Sequence, residues 1–374
     1  MSAPLSVLRD RLARAAIAAG AAGVDALLLT PSPDLRYLLG VSSGSHERLT
    51  CLVLPTDGDP ILVVPRLERP GLDGSAVADL GLDILDWTDA DDPYALVADL
   101  LRRSGPVSGR AAVGDAMPAR HVLRLRDALP ATEQVLASQV LRELRMRKDD
   151  AEVAALTTAG EAIDRVHARM EEWLRPGRTE AEVGADITAA IVAEGHTEAA
   201  FVIVGSGPHG ASPHHDVSER VVQPGDVVVV DIGGPTPDGY YSDCTRTYCL
   251  GEPAETDVAD TYAVLQAAQD AAVAAVRPGV TAEQVDAAAR GPITAAGFGE
   301  HFIHRTGHGI GLEVHEEPYV VSGNALTLEP GMAFSVEPGI YLPGRWGARI
   351  EDIVVVTPDG VARLNHRPRE LAAL

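Results

Sequence analysis

The stretch VVVVDIGGPTPDGYYSDCTRT, Val227 to Thr247, decides how the second half of this chain folds. Four valines in a row predict a buried strand, yet the run ends in a carboxylate at Asp231, and Asp243 follows twelve residues later. The two acids lie symmetrically about the turn-forming PTPDG, so a hairpin is expected to bring them into cross-strand register, with β-carbons about 5 Å apart. Two buried carboxylates this close need a cation, a shared proton, or a salt bridge to a residue such as Arg246.

Composition and charge exclude several classes of protein. The 374 residues are enough for two or three domains. No apolar run reaches the roughly 18 residues of a membrane span, and the N-terminal stretch lacks the pattern of a signal peptide, so a cytoplasmic protein is expected. A net charge of -23 repels phosphate and anionic lipid, which counts against nucleic-acid or membrane partners. Cys51, Cys244 and Cys249 are too few for a disulfide framework or a cysteine-based zinc site.

The chain is predicted to contain two domains. Strand-like and helix-like segments alternate through about the first 135 residues, which predicts an α/β domain. From Glu152 onward the apolar residues keep helical spacing, which predicts one long amphipathic helix that ends at Pro176 and Gly177. The predicted bounds are 1–140 for the first domain and 141–374 for the second.

The second domain contains an internal repeat. RPGRTEAEV, Arg175 to Val183, recurs as RPGVTAEQV, Arg277 to Val285, and each copy has the Thr-to-Glu or Thr-to-Gln spacing of a capping box. Three further pairs recur at spacings of 101 to 108 residues: His214 with His315, Asp231 with Glu337, and Asp243 with Glu351. Matches in one order at nearly constant spacing predict a duplicated α+β unit with a shared site between its halves.

Histidine and carboxylate residues concentrate in this duplicated domain. Seven of the 12 histidines lie between His209 and His315. Glycines flank His308 in TGHGIG, which allows the backbone to bring the imidazole close to a ligand. Four carboxylates and one imidazole suit two divalent cations about 3.5 to 4 Å apart. Hard oxygen ligands favour Mn(II), with Co(II), Fe(II) or Zn(II) able to substitute.

These motifs resemble those of a known family. DIGG, YYSDCTRT, RTGHGIGLEVHEEP, SVEPGIY and GARIED are similar to the metal-site motifs of the pita-bread metallopeptidases, which include Xaa-Pro dipeptidase (prolidase), aminopeptidase P and, more distantly, methionine aminopeptidase. The resemblance is strong from Glu152 to the C-terminus, and the first 135 or so residues resemble, more weakly, the N-terminal domain shared with creatinase. It implies an α+β protein, with an α/β creatinase/prolidase-like N-terminal domain followed by a pseudo-twofold pita-bread catalytic domain.

The resemblance also implies roles for individual residues. The implied metal ligands are Asp231, Asp243, His308, Glu337 and Glu351. In the family a water or hydroxide that bridges two metal ions attacks the scissile carbonyl, and Glu337 is expected to pass the proton to the leaving amine. The implied substrate contacts are His214 and His315, as oxyanion donors or substrate holders, and His304, as part of the pocket wall. Arg349 is expected either to orient a ligand carboxylate or to form an ordinary surface pair.

Several histidines leave alternatives open. His215 adjoins His214, but the family pattern, PH followed by an arginine and then PGD, selects His214. His315 has the alternative of an ordinary surface residue. His209 has no assigned role and is expected to face solvent. His46, in the loop SSGSHERLT, either has no role or reaches the active site of a second subunit in a homodimer.

The resemblance therefore implies a dinuclear metallopeptidase that hydrolyses the Xaa-Pro bond of small peptides, with Xaa-Pro dipeptidase expected first. The alternatives are an Xaa-Pro aminopeptidase acting on longer peptides, a hydrolase of another small amide, and a non-catalytic binding module. Intact ligands argue against the binding module and against creatinase, which lacks them. Dipeptidase and aminopeptidase differ in whether a wall closes the pocket, and residue spacing does not show such a wall.

Overall fold

The structure is a computed structural model that describes residues 3–41, 47–104 and 109–374. It divides into two compact units, Met1–Arg145 and Met146–Leu374. Each unit has its own hydrophobic core. The α+β class predicted from the sequence is confirmed.

The described part of the N-terminal unit contains a six-stranded mixed sheet with helices beside it. Its helices are α1 (Leu5–Ala21), α2 (Pro33–Leu39), α3 (Ala76–Leu80), α4 (Pro93–Ser104), α5 (Ala119–Ala128) and α6 (Ser138–Met146), with a 3-10 turn at Arg69–Leu72. Its strands are β1 (Ala26–Leu29), β2 (Cys51–Pro55), β3 (Ile61–Pro65), β4 (Asp83–Trp87), β5 (Arg110–Val113) and β6 (Glu133–Leu136), in the order β4-β3-β2-β1-β5-β6. Strand β2 runs antiparallel to both neighbours, and the other neighbouring strands are parallel.

The C-terminal unit carries the duplicated pattern. Its helices are α7 (Asp150–His167), α8 (Met170–Trp173), α9 (Glu180–Ala193), α10 (Val258–Ala275) and α11 (Ala282–Ala295), with 3-10 turns at Gly207–Ala211 and Gly299–His301. Its strands are β7 (Phe201–Ser206), β8 (Val227–Pro235), β9 (Tyr241–Cys249), β10 (Gly307–Gly309), β11 (Glu316–Val320), β12 (Ala333–Val336), β13 (Gly339–Leu342), β14 (Trp346–Arg349), β15 (Asp352–Thr357), β16 (Gly360–Arg363) and β17 (Ala372–Ala373).

The two halves of this unit share one topology. In the first half β7, β8 and β9 form an antiparallel meander that follows α7 and α9. In the second half β10, β12 and β15 form the equivalent antiparallel set after α10 and α11. Each half therefore provides two long helices and three central strands, as the sequence repeat predicts.

The long helix predicted from Glu152 to Trp173 is in fact two helices. Helix α7 ends at His167, and the short helix α8 starts at Met170. At the break the amide of Arg169 donates to the carbonyl of Val166, a tighter turn than the α-helical one. The buried ring of His167 contacts strand β9, and these contacts fix the chain at the point where α7 ends.

Strand β8 explains why a carboxylate follows four valines. All nine residues of the strand are buried, but side chains alternate between its two faces. Val228, Val230 and Ile232 pack into the core formed with the first-half helices, so Asp231 points to the opposite face. Strand β9 repeats this arrangement, with Cys244 in the same core and Asp243 on the other face.

Candidate metal centre and substrate pocket

Asp231 and Asp243 lie on one face of the β8–β9 hairpin but are not directly opposite each other. Asp231 pairs with Thr245, and Asp243 pairs with Gly233, so the two acids are diagonal neighbours. The predicted direct cross-strand register was therefore wrong. The turn includes Tyr240 and is centred one residue further along the chain than expected. The resulting offset of two residues keeps both carboxylates on the same face.

Arg349, at the end of β14, holds one of these acids. It is buried, and its guanidinium donates to Asp231 Oδ2 at 2.5 Å and to the Tyr341 hydroxyl at 2.7 Å. Arg246, the salt-bridge partner considered from the sequence, instead pairs with Asp352 at 2.7 Å. Among the described residues no lysine or arginine forms an ion pair with Asp243. The salt bridge to Arg349 therefore neutralises the charge of Asp231. The charge of Asp243 has to be neutralised by a different cation.

His308 and the second-half acids complete the cluster around Asp243. His308 Nε2 lies 3.6 Å from Asp243 Oδ2 and 3.3 Å from Glu337 Oε1. Its Nδ1 lies 3.1 Å from the Gly309 carbonyl, a contact in which Nδ1–H donates and Nε2 is left with a lone pair that faces the acids. Ligand atoms of Asp243, His308 and Glu351 all lie within 4.8 Å of one another, close enough to hold one metal ion. Glu337 directly follows β12, and Glu351 directly precedes β15, so both lie at strand ends rather than within strands.

The electrostatics of this cluster favour the binding of a positively charged group. Burial, together with the neighbouring carboxylates, raises the pKa of Asp243 and that of Glu351 well above their ordinary values. Burial also raises the pKa of Glu337, against the opposing effect of Arg349. Oδ1 of Asp231 and Oδ1 of Asp243 are buried and have no hydrogen-bond partner among the described residues. Buried carboxylate oxygens without a donor are the expected state of residues that bind divalent cations, so this donor set fits metal ions.

The cluster lines a cavity of about 850 Å³. The structure brings all nine residues that the sequence assigned to the site into the lining of this cavity: His214, Asp231, Asp243, His304, His308, His315, Glu337, Arg349 and Glu351. The apolar part of the lining includes Ala200, Phe201, Val202, Ile203 and Val314. His304 Nε2 contacts the Tyr341 hydroxyl at 2.8 Å, and the ring of His315 meets that of His308 edge-on at 4.1 Å. Carboxylates, imidazoles and a guanidinium, whose chemistry suits metal binding, proton transfer and substrate binding, thus line one pocket.

Sequence reasoning missed three residues at or beside the pocket. Arg305 lines the cavity and stacks on Tyr319, with its guanidinium carbon 4.4 Å from the ring centroid. Tyr341 receives the hydrogen bond from Arg349. Glu180 is fully buried at the start of α9 and accepts hydrogen bonds from the segment that carries His214. The only sequence signal for Arg305 was a positive charge three residues before His308. The only signal for Glu180 was that the second copy of the repeat has a different residue at the equivalent position.

Two other histidines need comment. The expectation that His209 simply faces solvent was wrong, because its half-exposed ring hydrogen-bonds Glu180 through Nδ1 at 3.0 Å. The sequence pattern could not show this contact, since it joins a 3-10 turn to a helix start 29 residues away. His46, the residue considered for a contact with a second subunit, lies outside the described residues.

Comparison with known proteins identifies the family. Residues 154–358 match the model of metallopeptidase family M24, and residues 11–147 match the creatinase/prolidase N-terminal domain. The chain belongs to metallopeptidase family M24, and membership implies a peptidase that uses divalent metal ions. The predicted fold, a creatinase-type N-terminal domain followed by a pita-bread domain, is confirmed, and the binding-module alternative is wrong.

Individual relatives give the same result. The chain is 62% identical to the probable dipeptidase PepE of Mycobacterium tuberculosis, over 98% of this chain and 96% of that protein. It is 37% identical to an Xaa-Pro dipeptidase of Lactobacillus helveticus, over 90% of this chain and 91% of that protein. The crystal structure of dipeptidase PepE from Mycobacterium ulcerans superposes with a TM-score of 0.94 at 60% identity, covering 100% of this chain and 99% of that one.

The search for membrane segments gave a negative result. No helix in the described part of the chain combines the length and apolar character needed to cross a membrane.

Proposed function

We propose that this metallopeptidase is an Xaa-Pro dipeptidase with a dinuclear metal centre. The observation that carries the proposal is the convergence of four carboxylates and one imidazole in the lining of one pocket, with buried oxygen atoms that have no donor among the described residues. The proline preference is supported by the Xaa-Pro dipeptidase of Lactobacillus helveticus, to which the chain is similar along most of its length. An apolar wall beside the metal cluster is also suited to a proline ring.

The proposed metal ligands are the five residues implied by the family motifs: Asp231, Asp243, His308, Glu337 and Glu351. Two divalent ions, when bound, supply a water acidic enough to act as the nucleophile and withdraw charge from the scissile carbonyl. The donor set is dominated by carboxylate oxygens, so Mn(II) is proposed as the metal, with Co(II), Fe(II) or Zn(II) as substitutes. Arg349 keeps the Asp231 carboxylate in one orientation through the contact at Oδ2, which leaves Oδ1 for a metal ion.

The remaining site residues act on the peptide. Glu337 takes up a proton from the attacking water at its carboxylate and delivers it to the nitrogen of the departing proline. Its Oε1 accepts a hydrogen bond from the Ser335 hydroxyl at 3.0 Å, which fixes the carboxylate toward the pocket. His214 and His315, both on the cavity wall, donate to the carbonyl oxygen as negative charge develops on it. His304, held by Tyr341, forms part of the substrate wall.

Arg305 favours the dipeptidase over the aminopeptidase. Among the described residues its guanidinium has no hydrogen-bond or ion-pair partner, although it lines a pocket rich in acids. Burial lowers the pKa of His315, and the positive charge of Arg305 adds to this effect, so the guanidinium lies within electrostatic reach of the reacting groups. A free cation here suits the C-terminal carboxylate of a dipeptide, whereas a longer peptide presents an amide at the same position.

The test measures the release of amino acids by the Mn(II)-loaded enzyme from three substrates: an Xaa-Pro dipeptide, its C-terminal amide, and the same peptide extended by two residues. We expect the dipeptide to be cleaved much faster than the other two. Arg305→Gln should raise KM for the dipeptide at least about tenfold and reduce the preference over the amide, because one charge-assisted contact is lost. Arg305→Lys, which keeps the charge, is the matched control and should retain most of the preference.

Other outcomes select the alternatives. Rapid cleavage of the extended peptide makes the enzyme an Xaa-Pro aminopeptidase. If none of these peptides is cleaved while metal is bound, the proline assignment is wrong, and hydrolysis of another small amide becomes the working hypothesis. The homodimer and the cytoplasmic location expected from the sequence belong to the same proposal, and light scattering and cell fractionation respectively test them.

A further inference from the structure

A second cluster of titratable side chains lies beside the pocket and has no part in the proposed metal centre. It is centred on Glu180, the first residue of α9, whose side chain is fully buried. Oε1 accepts hydrogen bonds from the backbone amide of Ser206 at 2.8 Å and from its hydroxyl at 2.6 Å. Oε2 accepts hydrogen bonds from His215 Nε2 at 2.8 Å and Ser218 Oγ at 2.6 Å, and His209 Nδ1 approaches both oxygens.

These donors all belong to one segment of chain, residues 206–218, which we term the His214 loop. They sit at its two ends and along its length, so one carboxylate ties the whole loop to the start of α9. His214, within this loop, is exposed to the pocket, and no hydrogen bond of its own ring is found among the described residues. The position of its imidazole is therefore set by its neighbours, and the adjacent His215 is bonded directly to Glu180.

The internal repeat shows that Glu180 is not needed to start a helix. The equivalent position in the second copy, RPGVTAEQV, is Ala282, which is also fully buried at the first residue of α11. Helix capping is provided separately, by Thr179 and Glu182 in the first copy. A buried carboxylate costs free energy unless it is well hydrogen-bonded, so its presence in one copy alone indicates a role specific to that half.

We propose that Glu180 is a positioning residue that holds His214 in place for catalysis, through direct hydrogen bonds to His215 and His209. The inference rests on the proposed function, in which His214 donates to the reacting carbonyl oxygen. A carboxylate that accepts hydrogen bonds on both oxygens, from donors at both ends of the loop, restricts the backbone on either side of His214. The residue thus acts on the reaction without touching the substrate.

A metal ion bound by Glu180, His209 and His215 is the competing explanation, since their ligand atoms also lie within 4.8 Å of one another. The distances favour hydrogen bonds. His215 Nε2 and His209 Nδ1 contact the carboxylate at 2.8 and 3.0 Å, which are direct donor-to-acceptor lengths. Ser206 and Ser218 occupy further acceptor positions on the same two oxygens, so the carboxylate is satisfied without an ion.

The test is a double-mutant cycle on kcat/KM. Glu180→Gln and His215→Ala are each made in the wild-type enzyme and in a His214→Ala background. We expect each to lower kcat/KM about tenfold in the wild type but less than about twofold when His214 is already absent, because the loss acts through that ring. His215→Gln keeps an N–H donor near Glu180 and should recover about fivefold relative to His215→Ala. Glu182→Gln removes one charge from the same helix turn and is the matched control.

Hydrogen exchange across the His214 loop gives a second readout that does not depend on activity. Amides of residues 206–218 should exchange faster in Glu180→Gln and His215→Ala than in the wild type or Glu182→Gln. Equal losses of kcat/KM in both backgrounds, or unchanged exchange in the loop, overturn the proposal, as does a third bound metal equivalent that disappears in His215→Ala. If the wild type cleaves no peptide, the proposed function fails, and exchange in the loop still decides whether Glu180 holds it.

Discussion

The two halves of the catalytic unit each bring a histidine to the same pocket, but they hold it differently. The His214 loop is tied to the buried Glu180 carboxylate by serine and histidine donors. The second loop, residues 310–316, which we term the His315 loop, is tied through Glu316 to Lys148 by a buried ion pair. In addition, the ring of His315 contacts His308 edge-on, whereas His214 has no such contact with the metal cluster among the described residues.

In this duplicated fold, the positions of the two pocket histidines are therefore preserved more strictly than the contacts that support them. The histidines recur 101 residues apart and line one cavity. Their supports arise from different parts of the chain, a helix start in one half and the segment before α7 in the other. We therefore expect the His315 loop to depend on the metal centre and on a lysine, and the His214 loop to depend on Glu180.

Removal of the metal ions is expected to have the largest effect. Chelation should reduce peptidase activity below detection, because the nucleophilic water is no longer activated. It should also speed hydrogen exchange in the His315 loop more than in the His214 loop, since His315 packs on His308, a proposed ligand. Mass spectrometry of exchanged peptides checks this difference, and equal loosening of the two loops contradicts the comparison.

Breaking the buried ion pair between Lys148 and Glu316 is expected to have the next largest effect, which is on the free energy of unfolding. Lys148→Met leaves Glu316 buried without this cation, and such a change typically costs about 3 to 5 kcal/mol in the free energy of unfolding. The double variant Lys148→Met with Glu316→Gln removes both charges and should recover part of that loss. Denaturant unfolding measures both values, and an equal cost in the single and double variants rules out the ion pair as the cause.

Removal of each histidine ring is expected to show that only one of the two loops affects metal binding. His214→Ala and His315→Ala should each lower kcat by about 100- to 1,000-fold, equivalent to about 2.7 to 4 kcal/mol of transition-state stabilisation. Only His315→Ala is expected to weaken metal binding as well, by about tenfold, because its ring supports His308. Metal titration of the two variants tests the difference, and unchanged metal affinity in both would show that the ring contact has no supporting role.

Spacing and chemistry that repeat along the chain pointed to the acids and histidines of the site, and the resemblance to the pita-bread metallopeptidases supplied the complete set of nine residues. The structure places all nine in one cavity. The roles of these residues and the identity of the metal ligands stay predictions. The sequence also predicted the duplicated topology, because the capping boxes and strand-ending acids keep their order in both halves.

The remaining features depend on geometry that one-dimensional patterns do not contain. The hairpin register was wrong by two residues because the turn includes Tyr240, which looks like part of the strand in sequence. The break after His167 arises from contacts with β9, far away in the chain. Glu180 looked like an ordinary charged residue of a helix start, since nothing local shows that its partners lie 26 to 38 residues further on.

The smallest expected effect concerns the pH dependence of stability that Glu180 confers. Burial alone raises the pKa of Glu180, but hydrogen bonds from Ser206, Ser218 and His215 outweigh burial and hold the pKa at about 2, below its ordinary value of 4.5. A carboxyl whose pKa is depressed by folding stabilises the fold above the unfolded pKa, and this stabilisation is lost as the pH falls from about 4.5 toward 2. The lowered pKa corresponds to roughly 3 kcal/mol of stabilisation. The free energy of unfolding of the wild type should therefore exceed that of Glu180→Gln most clearly above pH 5, and the gap should narrow steadily on acidification. Glu182→Gln, which removes a charge from the exposed side of the same helix turn, is the matched control. A gap between wild type and Glu180→Gln that does not change with pH would mean that the Glu180 carboxylate is not held in its charged form by the His214 loop.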